Sequence, residues 1–168
     1  YTPAAALGGL TTGASSLEVT AAYATLENEG VYRQPTCITM ITDMDGNIVV
    51  MPEQEEKQIY QSSAAHEMTN ILEGVLTRGT AHGNATRGTA SGMGWSGDVE
   101  AAGKTGTTND NLDGWFVGYT GYYTTGVWVG FDSPRSAKAL SGASYPLAIW
   151  NTYMTELHQG LTSKALND

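Results

Sequence analysis

The sequence predicts an α+β (mixed α/β) fold in which an antiparallel sheet is packed with helices. The first observation is a set of three β-rich segments at hairpin spacing in the second half of the chain. The second is a helical periodicity of apolar residues in three other segments. The chain has 168 residues, of which 40% are apolar and 15% are charged, and this suffices for one buried core. Because we find no internal repeat and no linker, residues 1–168 are assigned to one domain.

The first predicted helix covers residues 16–28. Ser15 and Glu18 have the S-x-x-E spacing of a capping box, which marks the start of a helix. Gly30 is suited to end it, because glycine readily adopts the left-handed conformation that follows many helices. The apolar stripe of this helix consists of Val19, Ala22 and Leu26.

A hairpin and a second helix follow. The β-branched runs at residues 37–42 and 47–51 are separated by Asp45 and Gly46, a pair typical of a hairpin turn. Residues 63–78 predict a helix that packs on the core, and Gly79 is suited to its C-terminal cap. The apolar stripe of this helix consists of Met68, Ile71, Leu72, Val75 and Leu76.

The glycine-rich residues 79–97 predict a surface loop before the main strands. Segments 99–107, 114–120 and 125–131 then predict three consecutive antiparallel strands. Pro146 is suited to the first turn of a final helix, because a backbone N–H has no partner within the helix there. The apolar face of that helix consists of Leu147, Trp150, Met154 and Leu157.

The charge of the chain excludes one class of partner. Eight Lys and Arg residues stand against 17 Asp and Glu residues, which gives a formal charge of -9. Because the chain has no basic field to collect phosphates, nucleic acid is not an expected partner. No apolar run approaches the roughly 20 residues that cross a bilayer.

The residues that could bind a metal have no suitable spacing, and no cofactor is expected. The single cysteine, Cys37, excludes an internal disulfide and a cysteine-based metal site. Asp43, Asp45 and Asn47 alternate, but no Glu follows at the twelfth position of a calcium loop, so they favour a turn. The three histidines share no spacing and are expected at the surface or as helix caps: His66, His82 and His158.

The chemistry-bearing pattern is Lys104-Thr105-Gly106, followed by Thr107, inside the first of the three main strands. Lys supplies a point charge, and Thr105 and Thr107 place two hydroxyls on one face of the strand, so the pattern suits a carboxylate. Gly106 lets the backbone of a ligand approach the strand closely. These residues predict a carboxylate-binding strand.

The residues after this strand are candidates for supporting roles. Thr108 and Asn109 follow directly and lie near the predicted site. Trp115 and Trp128 are expected as aromatic residues on the sheet, although an alternative places Trp115 near the substrate. The residues expected to order the turn are Asn109, Asp110 and Asp113.

The wider sequence around the pattern resembles a known family. Residues 101–110, 113–120 and 126–130 resemble the transpeptidase domain of bifunctional (class A) penicillin-binding proteins, which carry a K-T-G element. Residues 7–24, 74–81 and 148–150 also match patterns of that family, so the resemblance extends to about Gly160.

The resemblance implies a D,D-transpeptidase that cross-links peptidoglycan stem peptides through a serine acyl-enzyme and binds β-lactams. Lys104 would provide positive potential beside the nucleophile, and Thr105 and Thr107 would hold the terminal carboxylate of the D-Ala-D-Ala donor. The backbone N–H of Thr107 would be one of the two hydrogen-bond donors of the oxyanion hole. Gly106, which has no side chain, would keep the side of the site that this strand forms low. The family also implies the extracytoplasmic face of a bacterial membrane, with a transmembrane anchor outside this chain.

Two elements of the family pattern are not found in this sequence. The four lysines are preceded at three residues' distance by Gln54, Ala101, Arg135 and Leu161, so there is no S-x-x-K nucleophile motif. No serine stands two residues before any asparagine, so there is no S-x-N motif. We therefore expect a C-terminal portion of the transpeptidase domain, whose nucleophile-bearing N-terminal portion precedes Tyr1.

This expectation has consequences for the isolated chain. The family sheet has five strands, and the first two would come from the preceding portion. The strand at residues 125–131 would then expose an unpaired edge. The chain would self-associate through this edge, swap elements with another copy, or be found with the missing portion. Without a nucleophile, the chain alone is expected to be inactive.

Two other functions remain open at this stage. One is a serine β-lactamase, which shares the K-T-G strand, although residues 107–119 favour the transpeptidases. The other is a noncatalytic binding or interaction module that carries the same strand.

Overall fold

The computed structural model describes residues 3–10, 12–76, 95, 99–133 and 135–166. Its helices are α1 (Ser16–Glu27), α2 (Ser62–Leu76) and α3 (Tyr145–Leu157). Short 3-10 turns cover Pro3–Leu7 and Asn109–Asn111. The strands are β1 (Val31–Arg33), β2 (Ile41–Thr42), β3 (Ile48–Val50), β4 (Glu56–Gln58), β5 (Ala101–Thr107), β6 (Gly114–Thr120) and β7 (Thr124–Val129).

The central layer is an antiparallel sheet with the strand order β5-β6-β7. Thr105 lies opposite Phe116, and Phe116 lies opposite Val127. Helices α1 and α2 pack on one face of this sheet and α3 packs on the other. The predicted α+β fold and the three consecutive antiparallel strands are confirmed, with β7 ending two residues earlier than expected.

The core on the α3 face is built around Trp150. The centroids of its ring and the Phe116 ring lie 5.0 Å apart, and its Nε1 donates to the carbonyl oxygen of Gly118 at 3.2 Å. A Cβ at Gly118 would lie 2.8 Å from the Trp150 ring, so glycine is needed for this close packing. The predicted apolar face of α3 is confirmed, since Leu147, Trp150 and Met154 are buried.

The core on the opposite face joins α2 to β5 and β6 through Leu72, Ala102 and Tyr119. The predicted stripe of α2 is wrong in part, because Met68 is 43% exposed and Ile71 is 51% exposed. The buried face is rotated toward the positions that meet the sheet, and it includes Ala65 and Thr69 as well as Leu72, Val75 and Leu76. Residue type alone does not identify which side of a helix meets the sheet.

The start of α1 is the predicted capping box. The backbone N–H of Glu18 donates to Oγ of Ser15 at 3.2 Å, and the backbone N–H of Ser15 donates to Oε2 of Glu18 at 2.8 Å. The Ser15 hydroxyl also donates to Oε2 of Glu18 at 2.8 Å, and the two hydrogen bonds that this carboxyl group accepts from Ser15 lower its pKa. Gly30, with φ of 82°, follows the end of this helix.

Two small antiparallel ribbons are separate from the main sheet. The predicted hairpin is confirmed as β2 and β3, whose turn is held by Asp43 Oδ1, which accepts from the backbone N–H groups of Asp45 and Asn47. The pairing of β1 with β4 was not predicted, because Glu56–Gln58 is short and polar and has no strand signature. An ion pair between Arg33 and Glu56, at 2.7 Å, joins these two strands.

His158 is buried and is the C-cap of α3, so of its two expected positions, surface or helix cap, the helix cap is confirmed. Its Nδ1 lies 2.7 Å from the carbonyl oxygen of Met154, and its Nε2 lies 2.8 Å from Oγ1 of Thr120. It follows α3 as its C-cap and joins the helix to the sheet. The predicted loop at residues 79–97 lies outside the described residues, except Trp95, whose ring packs against Trp150.

Candidate active site

The site is built on the outer edge of β5, because β6 is its one sheet neighbour among the described strands. The N–H of Thr108 donates to the carbonyl oxygen of Asp113 at 3.1 Å, directly beyond the Thr107–Gly114 pair. Backbone groups alternate between the two sides of an antiparallel strand, so the N–H and C=O groups of Thr105 and Thr107 point away from β6. The backbone N–H of Thr107 therefore faces the outer edge.

Lys104 lies on the face of the sheet that α1 and α2 cover, opposite Val117. Its side chain is exposed, and its Nζ donates to the carbonyl oxygen of Thr105 at 2.9 Å. Because that carbonyl group points to the outer edge of β5, the Lys104 ammonium also lies at this edge. Its side chain reaches the edge from the face that α1 and α2 cover.

Thr105 and Thr107 lie on the α3 face, on the side opposite the Lys104 side chain. Thr105 is partly buried and Thr107 is exposed. Oγ1 of Thr107 accepts from the backbone N–H of Gly142 at 3.0 Å. The cation and the two hydroxyls thus extend from opposite faces of β5.

Gly106 lies between the two threonines and pairs with Trp115. A Cβ at Gly106 would lie 3.1 Å from Cβ of Trp115, so Trp115 projects from the same face as Lys104. Trp128 lies opposite Trp115 on β7, and its Nε1 donates to Oδ1 of Asp113 at 3.0 Å. The two tryptophans are sheet-face residues, and Trp115 also adjoins the Lys-Thr-Gly strand.

The turn after β5 is held by Thr108 and Asp113. The backbone N–H of Asp113 donates to Oγ1 of Thr108 at 2.7 Å, and that hydroxyl lies 3.3 Å from Oδ2 of Asp113. Asp110 and Asn111 have positive φ values of 60° and 55°, the left-handed conformation that Asn and Asp tolerate best after glycine. Asn109 is exposed in this turn. The turn thus contains the three residues predicted to order it, which are Asn109, Asp110 and Asp113.

A buried polar contact lies behind the site strand. Oγ1 of Thr69 on α2 lies 2.8 Å from the hydroxyl oxygen of Tyr119 on β6. Burial raises the pKa of Tyr119 to about 12, while the hydrogen bond with Thr69 opposes that shift. The contact fixes α2 against the sheet beneath β5.

Within the ranges that the structure describes, no three His, Cys, Asp or Glu residues are grouped to hold a metal ion. His66 lies 3.4 Å from Ser62 Oγ on α2, and His158 is buried at the end of α3. His82 lies outside the described residues. In the same ranges, no helix has the length and apolar character to span a bilayer.

Comparison with known proteins identifies the family. The profile of the penicillin-binding protein transpeptidase domain matches residues 2–146. The chain belongs to this family. Its relatives include penicillin-binding protein 4 of Bacillus subtilis, 39% identical over 89% of this chain and 22% of that protein. Penicillin-binding protein 1A of Aquifex aeolicus is 37% identical over 82% of this chain and 18% of that protein.

Solved structures agree on the fold of this chain. Penicillin-binding protein 1A of Haemophilus influenzae superposes with a TM-score of 0.80 at 21% identity, over 90% of this chain and 27% of that one. The D,D-transpeptidase domain of a peptidoglycan glycosyltransferase from Eggerthella lenta gives 0.63 at 22% identity, over 89% of this chain and 33% of that one. The chain spans about a fifth of the length of the curated relatives named above. The predicted resemblance to class A penicillin-binding proteins is confirmed.

Sequence reasoning missed the segment at residues 136–144, which lies against β5, the strand of the candidate site. The backbone N–H of Ala137 donates to the carbonyl oxygen of Asn111 at 3.1 Å, and Nδ2 of Asn111 donates to the carbonyl oxygen of Leu140 at 2.7 Å. Leu140 is buried over Gly114 at the start of β6. The segment has no periodic pattern, and its small residues gave no signal of a contact 35 positions away in sequence.

Proposed function

We propose that this chain is the C-terminal portion of a D,D-transpeptidase domain that cross-links peptidoglycan stem peptides and binds β-lactams. It supplies the Lys-Thr-Gly strand, and the nucleophilic serine comes from polypeptide outside this chain, since the sequence has no S-x-x-K motif. The observation that supports the proposal most is the outer edge of β5, where the Lys104 ammonium and the Thr107 N–H face the same side.

In this proposal the terminal carboxylate of a D-Ala-D-Ala donor, or the carboxylate of a β-lactam, lies along that edge. The hydroxyls of Thr105 and Thr107 donate to the carboxylate, and charge-assisted hydrogen bonds of this kind are stronger than neutral ones. Lys104 adds a positive charge that favours both the anionic donor and the deprotonated form of the nucleophile. Gly106, with no side chain, leaves the donor backbone room beside the strand.

The covalent step is an acyl transfer. The serine oxygen bonds to the carbonyl carbon of the penultimate D-Ala, the peptide bond breaks, and the terminal D-Ala leaves with the proton on its amine. The amine of a second stem peptide then attacks the ester carbonyl, a new peptide bond forms as the ester C–O bond breaks, and the proton of the amine passes to the departing serine oxygen. The N–H of Thr107 stabilises the oxyanion in both steps, and losing one such donor typically raises the barrier by about 2.7 to 4 kcal/mol.

The location of the reaction follows from its substrate. Stem peptides are cross-linked outside the cytoplasm, so we place the site at the extracytoplasmic face of a bacterial membrane. In the proposal, the anchor is a transmembrane segment outside this chain.

The test measures covalent labelling by a fluorescent penicillin. The full-length protein that contains this chain is expected to form a stoichiometric adduct, whereas the purified 168-residue chain forms none. Lys104→Ala in the full-length protein is expected to slow labelling at least about a hundredfold, the effect of losing one strong electrostatic contact to the reacting groups. Lys57→Ala is the matched control, because Lys57 is an exposed lysine on β4, outside the β5-β6-β7 sheet.

Three results would contradict the proposal. A stoichiometric adduct on the isolated chain would show that the nucleophile lies within it. Unchanged labelling of the Lys104→Ala protein, with Lys57→Ala also unchanged, would remove Lys104 from the site. A full-length protein that takes no label would favour the noncatalytic binding module.

A further inference from the structure

Gly142 lies directly against the Lys-Thr-Gly strand. It is buried, and a Cβ at this position would lie 2.6 Å from the carbonyl oxygen and 2.7 Å from the nitrogen of Gly106. The same Cβ would also collide with the carbonyl oxygen of Trp115. These obstacles are backbone atoms of a paired ladder, which cannot move aside as a flexible side chain would. Only glycine therefore brings its backbone this close to the strand.

The close approach produces one specific hydrogen bond. The backbone N–H of Gly142 donates to Oγ1 of Thr107 at 3.0 Å. A hydroxyl has one proton and two lone pairs, so accepting from Gly142 occupies one lone pair and directs the proton of Thr107 elsewhere. Thr107 is otherwise exposed, and this contact gives its side chain a fixed orientation.

The turn that presents Gly142 is itself closed. Oγ of Ser144 accepts from the backbone N–H of Ser141 at 2.9 Å and donates to the carbonyl oxygen of Ser141 at 2.7 Å. On its N-terminal side, Leu140 is tied to the turn after β5 through Asn111. Because both flanks are held, the N–H of Gly142 is a preorganised donor.

We propose that Gly142 is a positioning residue, which fixes the Thr107 hydroxyl so that its proton is donated to the anionic terminus of the acyl donor. The role rests on the function proposed above and adds a specificity element to the same site. Gly142 acts through Thr107, and its effect is greatest for a donor that ends in a free carboxylate. A donor with a neutral terminus gains little from an oriented hydroxyl, because its hydrogen bond carries no charge assistance.

The experiment compares two acyl donors on the full-length protein that contains this chain. One peptide donor ends in a free carboxylate, and the other is the same peptide with a primary amide terminus. The measured quantity is the carboxylate preference, defined as the ratio of the second-order acylation rates of the two donors. A loss of folding or of the nucleophile lowers both rates together, whereas a loss of hydroxyl orientation lowers the ratio.

Gly142→Ala and Thr107→Val are each expected to lower the carboxylate preference about tenfold or more, the scale of a hydrogen bond to a charged group. The double variant is expected to lower it no further than Thr107→Val alone, since both changes remove the same contact. Ser144→Ala, which opens the turn without adding atoms, is expected to lower the ratio several-fold and keeps the test valid if Gly142→Ala does not fold. Ala143→Ser, a one-atom addition at the neighbouring position, is the control.

A folded Gly142→Ala protein with the wild-type ratio would overturn the inference, as would a wild-type ratio in both Thr107→Val and Ser144→Ala. A wild-type protein acylated by neither donor would refute the proposed function itself, and the role of Gly142 with it. The failure of the inference and the failure of the proposed function can be told apart. In the first case the wild-type protein is still acylated, and in the second case neither donor acylates it.

Discussion

Replacing Tyr119 by phenylalanine is expected to remove the part of the stability loss at alkaline pH that comes from ionisation of the Tyr119 hydroxyl. The Tyr119 side chain is fully buried between the sheet and α2, and its pKa is raised to about 12 from 10.0 in the free side chain. Below pH 10 the tyrosine is neutral in both the folded and the unfolded state. Between about pH 10 and 12 the unfolded state loses the proton while the folded state retains it, so the free energy of unfolding falls as the pH rises.

The size of the effect follows from the shift. One pKa unit corresponds to about 1.4 kcal/mol, so the full loss is about 2 to 3 kcal/mol once the pH passes the folded-state value. At pH 11, halfway through the window, the expected loss is about 1.4 kcal/mol. The Tyr119→Phe protein lacks this loss, because phenylalanine has no proton to release.

The assay is urea unfolding followed by circular dichroism at pH 8 and pH 11. At pH 8, Tyr119→Phe is expected to be less stable than wild type by about 1 to 3 kcal/mol, since Oγ1 of Thr69 loses its buried partner. Adding Thr69→Val to Tyr119→Phe is expected to recover part of that stability, because both polar partners are then gone. Tyr123→Phe is the control, since Tyr123 is an exposed tyrosine beside the same sheet.

The decisive quantity is the difference in stability between the two pH values. Equal losses in the wild type and Tyr119→Phe would refute the claim that Tyr119 is held neutral by burial. If Tyr123→Phe reduced the loss of stability between pH 8 and pH 11 by the same amount, the pH dependence would belong to tyrosines in general and not to the buried Tyr119.

Two further predictions concern the start of α1 and the outer edge of β7. Ser15→Ala removes the cap of α1 and is expected to lower stability by about 1 kcal/mol in urea unfolding, with Ser16→Ala as the control. The backbone N–H and the hydroxyl of Ser15 lower the pKa of Glu18, so their contribution is present above pH 4.5 and is lost as the pH falls through the lower folded-state pKa; Glu18→Gln removes the titrating group, and an unchanged acid limb in that variant would contradict this. The isolated chain is expected to self-associate through β7, whose one sheet neighbour in the described part of the chain is β6. Sedimentation velocity should show oligomers that Trp128→Lys reduces, because a lysine on an edge strand opposes pairing, and a monodisperse wild-type monomer would refute the prediction.

Local signals in the sequence predicted most of the secondary structure. The capping box at Ser15, the Asp45-Gly46 turn and Pro146 near the start of α3 are all present as expected. Each depends on hydrogen bonds or backbone angles within a few residues, so neighbouring residues in the sequence contain the information. The sequence also predicted correctly that the Lys-Thr-Gly pattern lies within a strand.

The tertiary structure decided how the pieces meet. Lys104 and Thr107 lie on opposite faces of β5, and the proposed site can include both because β5 is an edge strand of its sheet among the described residues. Met68 is exposed although its spacing matched a core stripe, since the position of the sheet selects the buried face of α2. Gly142 contacts Thr107 from 35 residues away, and a backbone contact of this kind leaves no periodic trace in the sequence. Short-range bonding is encoded in neighbouring residues, whereas the site depends on contacts that form only when distant segments pack together.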